Sequence, residues 1–203
     1  MGAFSPLIIF TNMKKSTRSL LLIATLGLIA IYFFPFWEIA LEAPQYPEGL
    51  GFNIWIHKMT GDLRTINGLN HYIGMKTIEP DSISELRYMP YILGFLIFFG
   101  FIVFIFNKKI LLLIWVILLL IAGTAGAVDF WMWEYDYGHD LDPTAAIKVP
   151  GMSYQPPFIG SKKLLNFVAH SYPDVGGIIV FVVGILLISL LVYEYKFNKV
   201  QNA

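Results

Sequence analysis

The chain has 203 residues, of which 57% are apolar and only 14% charged. Soluble domains of this size carry about 25% charged residues, so a water-facing surface could not be covered, and a formal net charge of zero removes the basic field that nucleic acid would need. The absence of cysteine excludes disulfides, thiolate metal sites, thiol redox chemistry and c-type haem attachment together.

The apolar residues are clustered, and in chain order they define four candidate transmembrane spans. Met13-Lys14-Lys15 reads as a natural start, which would make residues 1–12 an extension of an 18-residue cytoplasmic N-terminus. The first span is predicted at 19–37. Its apolar run is too long for a signal-peptide core, and Phe33-Phe34-Pro35-Phe36-Trp37 follows where a small-residue cleavage site would stand, so it reads as a retained anchor. Loop 38–87 leads to a second span at 88–106. A turn at 107–109, a third span at 110–128, loop 129–174, a fourth span at 175–193 and a tail at 194–203 complete the chain. A helix rises about 1.5 Å per residue, so each run nearly matches a hydrocarbon core of about 30 Å. The runs do not alternate as barrel strands would.

Basic residues set the expected orientation. Lys14, Lys15, Arg18, Lys108, Lys109, Lys196 and Lys199 fall on one side, seven in roughly 30 positions, against seven in roughly 95 on the other. The dense side is expected to be cytoplasmic, with both termini there and both large loops in the periplasm of a bacterial inner membrane. Phe36, Trp37, Tyr88, Tyr91, Phe130, Trp131 and Trp133 read as an interfacial aromatic belt. Gly94, Gly100, the run Gly123-Thr124-Ala125-Gly126-Ala127, Gly177 and Gly184 read as helix contacts. The fold class expected is an all-α integral membrane protein: a four-helix transmembrane bundle with two structured outer loops.

The loops hold enough apolar and aromatic residues to pack. Residues 43–49 should be extended or turning, because of Pro44, Pro47 and Gly49. Ser82-Ile83-Ser84-Glu85 fits a capping box, so a short helix is expected to lead into the second span and to bend or restart at Met89-Pro90. Residues 161–170 are expected to form an amphipathic interfacial helix.

Two constellations carry chemistry. All four histidines, His57, His71, His139 and His170, lie in the loops, with Met59, Met75, Met89 and Met152 and, at the boundary, Met132. Imidazole and thioether ligands suit copper. The closest pairs are His57 with Met59 and His71 with Met75, the latter sharing a face only if 71–75 is helical. The simpler reading is that histidine avoids lipid and methionine packs. Second, Asp129 and Glu134 lie beside Trp131 and Trp133 and could form a quinol headgroup or proton site; otherwise they belong to a solvated rim. No nucleophile–base pair, phosphate loop or zinc-hydrolase motif is present, so the chain is not expected to be an enzyme on its own. Copper and quinol are the cofactors left open.

Two segments go further. Gly68-Leu69-Asn70-His71-Tyr72-Ile73-Gly74-Met75 is one. The other is Val149-Pro150-Gly151-Met152-Ser153-Tyr154-Gln155-Pro156-Pro157-Phe158-Ile159-Gly160-Ser161-Lys162-Lys163-Leu164-Leu165-Asn166-Phe167, continuing to Pro173-Asp174-Val175-Gly176-Gly177. With four spans and two large loops, they resemble the small membrane proteins encoded beside clade II nitrous oxide reductases, the NosB family. The resemblance implies a role in nitrous oxide respiration: an accessory subunit that anchors the periplasmic multicopper reductase, helps mature it, or helps supply it with electrons from quinol. Such a protein would have lipid and the reductase as partners. His71, Tyr72, Met152, Tyr154 and Phe158, within the matching segments, become candidate partner-binding residues.

Overall fold

The computed structural model describes residues 11–197. Helix α1 (Lys15–Ala30) tightens into a 3-10 turn, Ile31–Phe33, and ends ahead of Pro35, which has no N–H to continue it. The chain then forms strands β1 (Trp37–Ala43), β2 (Tyr46–Ile54) and β3 (Met59–Gly61), and a short helix α2 (Leu63–Ile73). Helices α3 (Ser84–Phe106) and α4 (Lys109–His139) follow, then strands β4 (Gly160–Leu164) and β5 (Phe167–Pro173), helix α5 (Val175–Val192) and a π-turn, Tyr193–Phe197. Four helical stretches, Lys15–Phe33, Ser84–Phe106, Lys109–His139 and Val175–Lys196, are long and apolar enough to cross a membrane. The expectations for residues 1–10 and 198–203 lie outside the described residues.

The all-α expectation is overturned. The five strands form one antiparallel sheet in the order β3-β2-β1-β5-β4. The residues expected to make an interfacial helix at 161–170 instead form most of the β4–β5 hairpin, with Ser161 paired to His170 and Lys163 to Val168. The reason lies in side-chain alternation. In β1, Trp37 and Ile39 are buried and Leu41 half-buried, while Glu38 and Glu42 are exposed. In β5, Ala169 and Ser171 are fully buried while Tyr172 is exposed. Period two is the pattern of a half-buried strand and cannot present one face of a helix. The central strands continue two spans directly: β1 follows α1, and β5 runs into α5.

That continuity demands close backbone approach. Gly176 N–H donates to the Pro35 carbonyl at 2.8 Å, and a Cβ at Gly177 would lie 2.5 Å from the Phe36 carbonyl oxygen. The Asp174 side chain caps α5 by accepting from Val175 N–H, and its other oxygen accepts from Asn53 Nδ2 at 3.1 Å. Trp37 is buried, its Nε1–H donating to Ser171 Oγ at 2.8 Å, and its ring packs on Phe130 and Phe158. Of the expected aromatic belt, Trp37 is therefore interior, whereas Tyr88, Tyr91 and Trp131 are exposed.

Helix α3 is unbroken through Pro90. Its N-cap is Ile83, without the capping side chain expected there; Ser82 Oγ donates to the Glu79 carbonyl instead. Trp115 is fully buried at the centre of the bundle and donates to the Leu96 carbonyl at 2.9 Å. Gly100 makes room for it, since a Cβ there would lie 2.6 Å from the ring. By contrast, a Cβ at Gly123 or Gly126 would meet nothing within 4 Å among the described residues, so neither glycine is needed for a close helix approach.

At the end of the bundle away from the sheet lies a buried ionic cluster. Lys109 and Glu194 pair at 3.3 Å with side chains 5% and 0% exposed. Glu194 also accepts from Thr17 Oγ1 at 2.6 Å and from Lys14 backbone N–H at 3.0 Å, and Lys109 Nζ donates to the Glu194 carbonyl at 3.2 Å. Three segments distant in sequence are thus tied at one point.

Candidate functional site in the sheet domain

Helix α4 has 31 residues, roughly 46 Å at about 1.5 Å per residue, well beyond a hydrocarbon core of about 30 Å. Its final turns project past the bundle and pack on one face of the sheet, alongside α2. Several hydrogen bonds hold this arrangement. Lys76 reaches both Asp136 and Asp140 at 2.8 Å, and the first of these bonds, with the second, raises its pKa above the ordinary lysine value. Tyr137 hydroxyl donates to the Thr77 carbonyl at 3.2 Å. Asn67 accepts from Ile78 N–H at 2.7 Å and donates to its carbonyl at 3.0 Å.

The 140–158 segment closes the domain. Tyr154 N–H donates to the Gly138 carbonyl at 2.9 Å; a Cβ at Gly138 would lie 2.3 Å from Gln155 N, so only glycine lets the segment lie against α4. Asp142 accepts from the Thr144 hydroxyl and amide, which hold its carboxyl below the ordinary range. Its own N–H donates to the carbonyl of Gly74, which adopts φ +81° to end α2.

Between the sheet, α2 and the end of α4 lies a cavity of about 250 Å³. Ile39, Leu50, Phe52 and Ala169 line it from the sheet, Ile66 and Leu69 from α2, and Trp133, Glu134 and Tyr137 from α4. The walls are apolar with one ionisable exception of consequence. The Glu134 carboxyl is fully buried, and neither of its oxygens has a hydrogen-bond partner. Charge at such a place would be uncompensated, so the neutral acid is the form the site accommodates. The Tyr154 hydroxyl is also buried without a partner.

The residues singled out from the sequence are distributed unevenly around this cavity. Glu134, Tyr154, Tyr72 and Met75 line it, whereas Asp129, expected to act with Glu134, is exposed on α4. Phe158 packs against Trp37 and Phe130 in the interior. His71 and Tyr72 are exposed at the end of α2, and Met152 is half-buried. Residues 71–75 are not one helix: α2 stops at Ile73 and Gly74 turns the chain, so His71 and Met75 do not share a helical face. In the other pair, His57 is exposed while Met59 is packed into the domain core. Among the described residues, no group of three or more His, Asp or Glu stands close enough to hold a metal ion.

A cluster on the opposite face of the sheet went unread in the sequence. Ser161 Oγ lies 2.7 Å from His170 Nδ1 and 3.3 Å from Tyr172 hydroxyl, and His170 Nε2 lies 3.6 Å from Glu42. It links edge strand β4 through β5 to β1. The signal was period two in Phe167–Pro173, which places His170 and Tyr172 on one face. Comparison with protein-family models and with curated proteins finds no match to the chain.

Proposed function

We propose that this chain is a non-catalytic inner-membrane subunit whose sheet domain binds a partner protein on the periplasmic side. On the resemblance of its two segments, that partner is the multicopper nitrous oxide reductase, served by anchoring, maturation or electron supply from quinol. The supporting observation is where those segments go. The stretch at 68–75 and the one beginning at 149 flank a single junction, in which Ile147 N–H donates to the Tyr72 carbonyl at 2.9 Å. Tyr72, Ile147 and Val149 are 57%, 48% and 41% exposed there. Exposed apolar side chains grouped on a water-facing domain mark an interaction surface. The basic end of the bundle then faces the cytoplasm.

The test is recovery of the reductase with tagged protein from membranes in mild detergent. Replacing Tyr72 and Val149 together by serine is expected to lower recovery at least about tenfold, the size expected when two apolar contact residues are truncated. Equal recovery with parent and variant would remove this surface from the reading. Recovery of oxidase subunits in place of the reductase would remove the partner.

A further inference from the structure

The cavity beside Glu134 contains more polar capacity than the fold uses. Asn70 Nδ2 donates to the Lys76 carbonyl at 3.3 Å, and Tyr137 donates to the Thr77 carbonyl. Both are spoken for. Glu134 and Tyr154 are not, although they are 0% and 2% exposed, and the buried Trp133 Nε1–H in the same wall also lacks a partner. Buried polar groups in native proteins nearly always have partners, because desolvation without one is costly. A protein that retains three at one cavity has them satisfied by something that enters.

The chemistry of the walls limits what that is. Among the described residues no lysine or arginine lines the cavity, so an anionic head would face Glu134 with no compensating charge. An ammonium head would need Glu134 ionised to meet it, which takes two charges out of water into apolar walls. A hydroxyl matches: it donates once and accepts once. The volume of about 250 Å³ lies just below the usual range of ligand pockets, about 300–1,000 Å³, which suits one ring or a short branched chain. Exposed Gln45, Tyr72, Leu165 and Asn166 form the rim, two of them on the β4–β5 turn, so a longer tail would leave past the strand turns.

We propose that this cavity binds an uncharged, lipid-soluble molecule bearing a hydroxyl on a ring or short chain, held by Glu134 and Tyr154. A quinol ring belongs to this class. The inference is tested separately from the partner reading, since Glu134→Leu leaves the exposed Tyr72–Val149 surface in place, although Tyr72 stands at the cavity rim as well.

The experiment uses the full chain in lipid nanodiscs, with empty nanodiscs subtracted. The probes are 4-butylphenol and butylbenzene, which differ by the hydroxyl, and the fluorescence of Trp133 in the cavity wall reports binding. Parent protein is expected to bind the phenol about tenfold more tightly than butylbenzene, and Glu134→Leu to remove that preference. Ala169→Leu, which fills the cavity from β5, is expected to abolish binding of both probes, with an unchanged unfolding midpoint as the folding check. Should that variant not fold, Leu69→Trp fills the same space from α2. Absence of saturable phenol binding, equal affinity for the two probes, or a preference that survives Glu134→Leu would each overturn the proposal.

Discussion

Glu194→Ala is expected to destabilise the bundle by about 3–5 kcal/mol, because it strands a buried lysine. Lys109 is 4% exposed, and its ammonium sits 3.3 Å from the Glu194 carboxylate. The same carboxylate accepts from Thr17 and from the backbone of Lys14, so its loss also unties the start of α1 from the end of α5. Removing both charges is a different matter. Replacing a buried pair by apolar residues of similar size is often neutral, since both desolvation penalties vanish with the attraction. Lys109→Met combined with Glu194→Leu is therefore expected to recover most of the loss. Unfolding midpoints in mixed micelles, followed by tryptophan fluorescence, would measure the cycle. A single variant as stable as parent, or a double variant as unstable as the single, would show that the cluster does not hold the bundle.

Glu134→Leu has the opposite expected sign. The carboxyl makes no hydrogen bond that its loss would break, and leucine fills nearly the same space among Ile39, Phe52 and Trp133. Relief of an unpartnered buried group is expected to raise stability by about 1–3 kcal/mol. The same titration measures it. A residue whose removal stabilises the fold is held for another purpose, which is the pattern of a binding site maintained at the expense of stability. A fall in stability would mean that Glu134 finds a partner within the folded chain, and the cavity would then need no ligand to satisfy it.

The two glutamates show why membrane context and tertiary contact cannot be read in the same way. Around Glu194, Lys108 and Lys109 were legible as a basic turn at one end of the bundle. That Lys109 turns inward to pair across 85 positions was not, because nothing local marks it. Around Glu134, the nearby tryptophans suggested an interfacial rim. The residue is instead inside a folded domain, because α4 runs about ten residues further than its apolar stretch and carries Glu134 against the sheet.

The sheet itself was partly legible. Trp37, Ile39 and Leu41 alternate with Glu38, Ala40 and Glu42, and Phe167, Ala169 and Ser171 with Val168, His170 and Tyr172. Both runs abut long apolar spans, whose much stronger signal took Trp37 into span one and left 38–43 as the start of a loop. The second, five to seven residues long, also fits two helical turns, and length alone does not separate the two.

By itself the sequence determined that four helices are long and apolar enough to cross a membrane. The cause is solvent: in hydrocarbon every backbone polar group must be paired within its own segment, and about 20 apolar residues announce that locally. Only the tertiary structure decided that the segments between them form one antiparallel sheet, that α4 outruns its apolar stretch to roof it, and that Glu134 and Tyr154 meet at a cavity. Strand pairing joins β1 to β5 across some 130 positions, and such long-range partners are chosen by packing, which no local window of sequence contains.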